Sequence, residues 1–94
     1  MKFVVYVLLC ADGKFYVGHT DNLETRMAHH HNGTFKGWTH NRRPVELVWH
    51  EFFQTRDQAF AVERQIKGWS HAKKQALVDR DWESISVLAS NRQS

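Results

Sequence analysis

Residues 3–19 read FVVYVLLCADGKFYVGH, and this stretch decides the fold of the chain. Phe3 to Leu9 is a continuous apolar run rich in β-branched residues, which is typical of a central strand covered on both faces. Asp12-Gly13 is a hairpin turn signal, and Lys14 to His19 is predicted to be the returning strand. The sequence therefore predicts an antiparallel pair whose first strand is buried.

A short helix is predicted after this hairpin. Asp21 is the expected N-cap, because Glu24 stands three positions later as in a capping box. The helix is expected to run to about His31 and to end at Asn32-Gly33. Residues 34–43 then form a loop rich in glycine, cations and aromatic rings.

The second half of the chain predicts one strand and two helices. Residues 45–53 alternate between apolar and polar and then become apolar, which favours a third strand. Thr55 and Gln58 belong to a second capping box that opens a helix to about Trp69, and Ser70 caps a third helix to about Asp79. The order is ββαβαα, so we expect an α+β fold, a small three-stranded antiparallel sheet flanked by helices.

Length and composition fit one domain with a modest positive charge. The chain has 94 residues, 41% of them hydrophobic, and we assign residues 1–80 to the domain and 81–94 to a C-terminal tail. The formal net charge is +3, which is compatible with a phosphate-backbone partner without requiring one. Cys10 is the single cysteine, so no disulfide forms within one chain.

The N-terminal apolar run lacks the features of a targeting or membrane segment. It ends at Asp12-Gly13 without a small-residue cleavage site, and it is too short to span a bilayer. We therefore expect a cytoplasmic protein without a membrane partner.

Two basic residues share a face of the first predicted helix with apolar residues. That face is formed by positions i, i+3, i+4 and i+7, which are Leu23, Arg26, Met27 and His30. Two cations there indicate a common anion or an acidic partner. From spacing alone, the favoured alternative is that Arg26 and His30 flank the apolar stripe and reach solvent with their polar ends.

A carboxylate stands within the apolar stripe of the second predicted helix. An unpaired buried charge is costly, so Glu63 should meet a cation, a hydrogen-bond donor or a metal ion. Spacing alone favours a structural ion pair with Arg26 or Lys67. In the hairpin, Tyr6 and Tyr16 taken singly are more often core residues than catalysts.

The ordered combination of these residues resembles the GIY-YIG nuclease superfamily. The pattern comprises Val4-Val5-Tyr6, Tyr16-Val17-Gly18, Arg26, His30 and Glu63. The resemblance covers residues 3 to about 78 and is strongest to small stand-alone bacterial members, the UPF0213-like proteins, which are related to the N-terminal nuclease domain of the excision-repair protein UvrC. Val4 stands where the first motif has glycine, and the departures remove no group that the chemistry needs.

This resemblance implies a metal-dependent endonuclease that hydrolyses nucleic-acid phosphodiester bonds, with a role in DNA repair or processing. DNA is favoured over RNA as the partner, and the sequence does not decide between them. Glu63 is implied as the one protein ligand of a divalent ion, Mg²⁺ or Mn²⁺, and magnesium suits this because it keeps most of its waters. The implied catalytic residues are Tyr6, Tyr16, Arg26, His30 and Glu63, with Gly18 allowing a close backbone approach.

These residues would divide the chemistry of hydrolysis among them. Tyr6 is the implied general base, and Lys14, Arg26 or the metal ion is expected to lower its pKa by favouring the phenolate. Arg26 would hold the phosphate through its forked donors. His30 and Tyr16 would position water and phosphate by hydrogen bonds.

The loop after the first helix is a candidate nucleic-acid contact. Lys36, Arg42 and Arg43 stand there with Trp38, and cations interleaved with aromatic rings suit phosphate contacts and base stacking. The alternative, favoured equally, is a solvated loop whose Trp38 packs on the core.

Two other functions stay open at this point. The first is a nucleic-acid-binding module of the same fold without significant catalytic activity. The second is a histidine metal protein, because residues 29–31 are three consecutive histidines. Adjacent helical side chains diverge by about 100°, so three in a row do not face one ion, and histidines that complement the helix dipole are the better explanation.

Overall fold

The computed structural model describes residues 2–33 and 39–83 and has the predicted α+β architecture. Within these residues, one antiparallel sheet of three strands is combined with three helices. The elements are β1 (Phe3–Cys10), β2 (Phe15–Thr20), α1 (Leu23–Asn32), β3 (Val45–Phe53), α2 (Arg56–Lys67) and α3 (His71–Val78), with a 3₁₀ turn at His40–Arg42. The predicted order ββαβαα is therefore confirmed.

β1 is the central strand, as its unbroken apolar run predicts. The strand order is β2-β1-β3, and both pairs are antiparallel. Tyr6 lies opposite Gly18 of β2 and opposite His50 of β3. Residues 4–8 are all buried, because β1 has a neighbouring strand on each side and helices over both faces.

Two apolar clusters cover the two faces of the sheet. On one face, α2 and α3 pack over residues that include Val5, Val7 and Val17. On the other face, residues of α1 pack over Tyr6 and Leu8. Fully burying an aliphatic or aromatic side chain contributes roughly 1.5–3 kcal/mol, so both layers stabilise the sheet.

A β-bulge in β3 divides its apolar residues between the two faces. Trp49 lies opposite Val7 and Leu47 lies opposite Leu8, so Val48 is the extra residue. Strict alternation would place Leu47 and Trp49 on one face. With the bulge, Leu47 packs on the α1 side of the sheet and Trp49 on the α2 side.

The helix α1 begins one residue later than its capping signal predicts. Asn22, not Asp21, is the N-cap, and its side-chain oxygen accepts a hydrogen bond from the backbone amide of Thr25 at 3.1 Å. The Thr20 hydroxyl accepts from the Asn22 amide at 3.1 Å, which turns the chain so that Asn22 reaches the cap position. Gly33 ends α1 with a φ of 79°, in the left-handed region that glycine adopts most readily.

The other two helices begin where their capping signals predict. The side chains of Thr55 and Ser70 accept hydrogen bonds from the amides of Gln58 and Lys73, each at 3.1 Å. Helix α2 ends at Lys67, two residues before the predicted Trp69, since Gly68 occupies its C-cap. Over the ranges that the structure describes, no helix has the length and apolarity needed to cross a bilayer.

Some of the sequence-based predictions concern residues that the structure does not describe. Lys36 and Trp38 lie outside the described residues, as does the tail from residue 84 onward. The assignment of residues 1–80 to the domain and 81–94 to a tail therefore stays a prediction.

Candidate active site

Polar side chains from both sides of the sheet meet at a cavity of about 320 Å³ beside the edge strand β2. Four of the five predicted catalytic residues line it, together with the predicted glycine. The lining consists of Tyr6, Tyr16, Gly18, His19, Thr20, Asp21, Arg26, Arg56 and Glu63.

Gly18 supplies the space in which the Tyr6 hydroxyl group lies. A β-carbon on Gly18 would lie 2.6 Å from the Tyr6 hydroxyl oxygen, which is closer than side-chain carbons approach any neighbour. The missing side chain also opens the edge of the sheet. Arg26 of α1 therefore reaches the cavity from one face, and Glu63 of α2 reaches it from the other.

A buried chain of hydrogen bonds supports Tyr6 from behind. The Tyr6 hydroxyl lies 3.1 Å from Nε2 of His30, and Nδ1 of His30 lies 2.8 Å from Oγ1 of Thr39. All three side chains are buried. His30 does not line the cavity, because Tyr6 stands between the two, and its role in positioning water and phosphate stays a prediction.

Burial sets the protonation states of this chain. It raises the pKa of Tyr6 far above the ordinary value of 10.0, and Tyr16 adds to the rise, while Arg26 opposes it only in part. Arg26 thus lowers this pKa as expected, but desolvation outweighs the guanidinium, so the pKa is raised overall. Burial, with a smaller contribution from Arg26, lowers the pKa of His30 to about 4, so His30 is neutral at pH 7.

The neutral state of His30 leaves two arrangements of these hydrogen bonds. In one, the Tyr6 hydroxyl donates to Nε2 and Nδ1–H donates to the Thr39 hydroxyl; in the other, Nε2–H donates to the Tyr6 hydroxyl and the Thr39 hydroxyl donates to Nδ1. Burial also raises the pKa of Tyr16, and the Glu63 carboxylate adds to this rise. Both tyrosines thus present neutral hydroxyl groups to the cavity.

Glu63 is a buried carboxylate at the cavity wall with two nitrogen neighbours. Its Oε2 lies 3.2 Å from Nδ1 of His19, and its Oε1 lies 3.7 Å from Nζ of Lys67. Nδ1 of His19 has no hydrogen-bond partner among the described residues, so this is a close contact and not a hydrogen bond. Lys67 was one of the two expected partners, and its side chain is 53% exposed, so its contribution is small.

The donor set around the cavity limits the kind of metal ion that it suits. Within residues 2–33 and 39–83, no three His, Cys, Asp or Glu side chains gather to hold an ion. Glu63 is a carboxylate that faces open volume large enough for an ion with its waters. Such a site fits magnesium, which is bound through one or two carboxylates and keeps several waters.

Three predicted cations lie away from the cavity. Lys14 is exposed at the hairpin turn and does not line the cavity, and its support of Tyr6 stays a prediction. Nε of Arg42 donates to Asp12 at 3.0 Å, and Nε of Arg43 donates to the carbonyl of His40 at 3.0 Å. Contact of Arg42 and Arg43 with nucleic acid stays a prediction.

Five residues at or next to the site had not been predicted. His19 contacts Glu63 and Thr39 is hydrogen-bonded to His30. The others line the cavity: Thr20, Asp21 and Arg56. Strand alternation carries a signal for His19, because it shares a face with Val17 and so points towards α2. No local pattern marks Thr39, which comes from a turn nine residues beyond its partner.

Comparison with known proteins gives this arrangement a family. The family model described as the GIY-YIG catalytic domain matches residues 2–76, a range that includes the whole cavity lining. The chain belongs to the GIY-YIG family. GIY-YIG proteins form a nuclease superfamily, so membership supports a nuclease role in general and contact with nucleic acid.

Relatives of this GIY-YIG chain include small proteins named UPF0213. It is 42% identical over 74 residues to the UPF0213 protein of Bacillus pumilus, covering 79% of this chain and 76% of that protein. It is 47% identical over 74 residues to a UPF0213 protein of Natronomonas pharaonis, covering 79% and 87%. These names state no activity.

Solved structures of two similar proteins share the GIY-YIG fold. The UPF0213 protein BH0048 of Bacillus halodurans has a TM-score of 0.56 and 34% identity, with 84% of each chain covered. The protein EF2693 of E. faecalis has a TM-score of 0.60 and 35% identity, with 85% of each chain covered. The predicted membership of the GIY-YIG superfamily and its UPF0213 group is confirmed.

Proposed function

We propose that this GIY-YIG protein is a metal-dependent endonuclease that hydrolyses phosphodiester bonds in DNA, in repair or processing. The observation that carries the proposal is the meeting of Tyr6, Tyr16, Arg26 and Glu63 around one cavity. Phosphodiester hydrolysis needs an activated water, stabilisation of charge on the phosphoryl oxygens and a group that accepts a proton. These four side chains supply the corresponding chemistry.

Arginine side chains would hold the scissile phosphate. Arg26 lines the cavity from α1, and a guanidinium offers two parallel donors to two phosphate oxygens. Arg56 lines the same cavity from the start of α2 and pairs with Asp21 only at 3.8 Å. Both side chains of that pair are exposed, so a phosphate competes with the carboxylate for Arg56 at small cost.

Tyr6 and His30 would act as one proton-accepting unit. Because burial keeps Tyr6 protonated, the phenol accepts a proton from the attacking water only as its own proton moves to Nε2 of His30. The His30 imidazolium that forms is stabilised through its Nδ1–H by the Thr39 hydroxyl. His30 thus takes part through Tyr6 and has the role of a positioning residue.

Glu63 would hold the divalent ion, and Mg²⁺ fits the single carboxylate and the open volume beside it. When bound, the ion supplies positive charge that stabilises the oxygens of the phosphoryl group. His19 lies 3.2 Å from one oxygen of this carboxylate and restricts its orientation. Among the described residues, the other oxygen has only the weak contact with Lys67.

The proposal is tested with a nuclease assay on single-stranded, duplex and flapped DNA and on RNA, with Mg²⁺ and with EDTA. Wild type is expected to cleave DNA only with the metal ion. Glu63→Gln and Arg26→Ala are expected to lower kcat by at least about a hundredfold, because the first weakens binding of the metal ion and the second removes the guanidinium that stabilises the phosphoryl charge. Glu46→Gln is the matched control, since Glu46 is exposed on β3 and lies outside the cavity.

Two results would contradict the proposed activity. Full cleavage by Glu63→Gln would mean that the catalytic site lies elsewhere. Salt-dependent binding of nucleic acid by wild type without any metal-dependent cleavage would identify a binding module of the same fold instead.

A further inference from the structure

A second cavity of about 300 Å³ lies further along β2. Strand residues and two lysines from different helices line it: Phe15, Tyr16, Val17, Lys67 and Lys74. We call it the lysine cavity. Tyr16 also lines the first cavity, so the two cavities are neighbours along the same strand.

The floor of the lysine cavity is fixed by packing. Phe15 and Val17 are buried in the cluster beneath α2 and α3. The Phe15 ring stacks on the imidazole of His71, with 4.8 Å between ring centroids and 24° between planes. This stacking holds the first turn of α3 against β2, and Lys74 follows three residues later on the same helix face.

The charge of the lysine cavity is positive. No carboxylate belongs to its lining, and Lys74 takes part in no ion pair within the described part of the chain. Lys67 connects the two cavities, because it lines the lysine cavity while its Nζ lies 3.7 Å from Glu63 of the first cavity. The cavity therefore suits an anion adjacent to the ligand of the first cavity.

We propose that the lysine cavity binds a phosphate that flanks the scissile one on the same substrate strand, an inference that rests on the proposed function. A nucleic-acid strand repeats one negative charge at every nucleotide, so an enzyme that holds one phosphate at Arg26 meets another close by. Lysine ammonium groups bind phosphate as mobile point charges and need no fixed orientation of the oxygens. The strand then lies along β2, with Tyr16 between the two phosphates.

The test compares two ligands that differ in the number of phosphates. Binding of a single-stranded oligodeoxynucleotide and of a dinucleoside monophosphate is measured by calorimetry in EDTA, over a range of salt concentrations. Lys74→Gln is expected to weaken oligonucleotide binding several-fold and to reduce the slope of log K against log salt by about 0.7. The dinucleoside monophosphate has one phosphate only, so its affinity is expected to stay unchanged.

Two variants serve as controls. Lys74→Arg keeps the charge and is expected to restore both the affinity and the salt slope. Lys2→Gln removes an exposed lysine that lines neither cavity and is expected to bind the oligonucleotide like wild type.

The outcomes separate this inference from the proposed activity. If wild type cleaves DNA while Lys74→Gln binds the oligonucleotide with unchanged affinity and slope, the lysine cavity is no phosphate site. Equal weakening for both ligands also overturns it, because Lys74 then acts at the first cavity. A third outcome is that wild type cleaves no substrate, while Lys74→Gln still lowers the salt slope of oligonucleotide binding. The nuclease proposal then fails, and the lysine cavity is a phosphate site of a binding protein.

Discussion

At the scale of single residues, Gly18 couples the fold to the proposed chemistry. Its missing side chain leaves room for the Tyr6 hydroxyl, which is hydrogen-bonded to His30 and has no exposed surface. Gly18→Ala would place a β-carbon 2.6 Å from that oxygen. We expect this variant to lose about 1–3 kcal/mol of unfolding free energy from overpacking, as measured by urea titration, and to lose cleavage.

Gly68→Ala is the matched control for this prediction. A β-carbon at Gly68 would meet the carbonyl of Gln65 at 3.5 Å, which is an ordinary contact, and its φ is −79°. Its unfolding free energy is expected to stay within about 0.5 kcal/mol of wild type. If the two variants are equally stable, the Tyr6 side chain can shift away from the added β-carbon and the site is not overpacked.

At the scale of secondary structure, the start of α1 depends on one side chain. Asn22 accepts a hydrogen bond from the Thr25 amide, whereas the Asp21 carboxylate has only a 3.8 Å contact with exposed Arg56. Asn22→Ala is expected to cost about 1 kcal/mol of unfolding free energy. Asp21→Ala is the control and is expected to cost less than about 0.5 kcal/mol.

The same denaturation measurements decide between the two cap positions. If Asp21→Ala loses more unfolding free energy than Asn22→Ala, Asp21 is the N-cap, as the sequence pattern predicts. Helix content measured by circular dichroism gives a second readout, because fraying of α1 removes helical signal without global unfolding.

Local signals were sufficient to predict most elements. The caps at Thr55 and Ser70 and the end of α1 at Gly33 each depend on residues within one helical turn, so sequence alone locates them. The bulge at Val48 could not be predicted, because it is defined by the pairing of β3 with β1. Its physical cause is the register of two strands that lie far apart in the chain.

The candidate site was predictable only in part, for a similar reason. Motif spacing identified Tyr6, Arg26 and Glu63, which line one cavity. It indicated that Arg26 lowers the pKa of Tyr6, but not the larger rise caused by burial, because desolvation depends on what the fold packs around a side chain. The contact of His19 with Glu63 joins residues 44 positions apart, and no pattern in either element specifies it.

At the scale of the whole molecule, the buried neutral His30 makes stability depend on pH. Its pKa is about 4 in the folded state against 6.5 for the ordinary group. Above pH 6.5 both states are neutral at this position and the stability is complete. As the pH falls towards 4, only the unfolded chain takes up the proton, so the unfolding free energy falls by on the order of 3 kcal/mol.

Urea titrations at a series of pH values measure this loss. His30→Gln is expected to start from a lower stability, because Tyr6 and Thr39 lose their partner, and to show a flatter dependence between pH 6.5 and pH 4. His71→Gln is the control, since His71 is exposed and is not among the groups that lower the pKa of His30, and it is expected to keep the wild-type dependence. If the unfolding free energy of wild type does not fall between pH 6.5 and pH 4, His30 is not buried in its neutral state.

The position of β2 at the margin of the sheet determines how a ligand approaches. Within the described residues β2 pairs with β1 alone, and both cavities lie beside it. An extended peptide could form hydrogen bonds with the unpaired amides and carbonyls of β2. It would then cover the entrances of both cavities at once. The topology thus provides a route to inhibition by sheet extension, in which an added strand denies access while every catalytic group keeps its place.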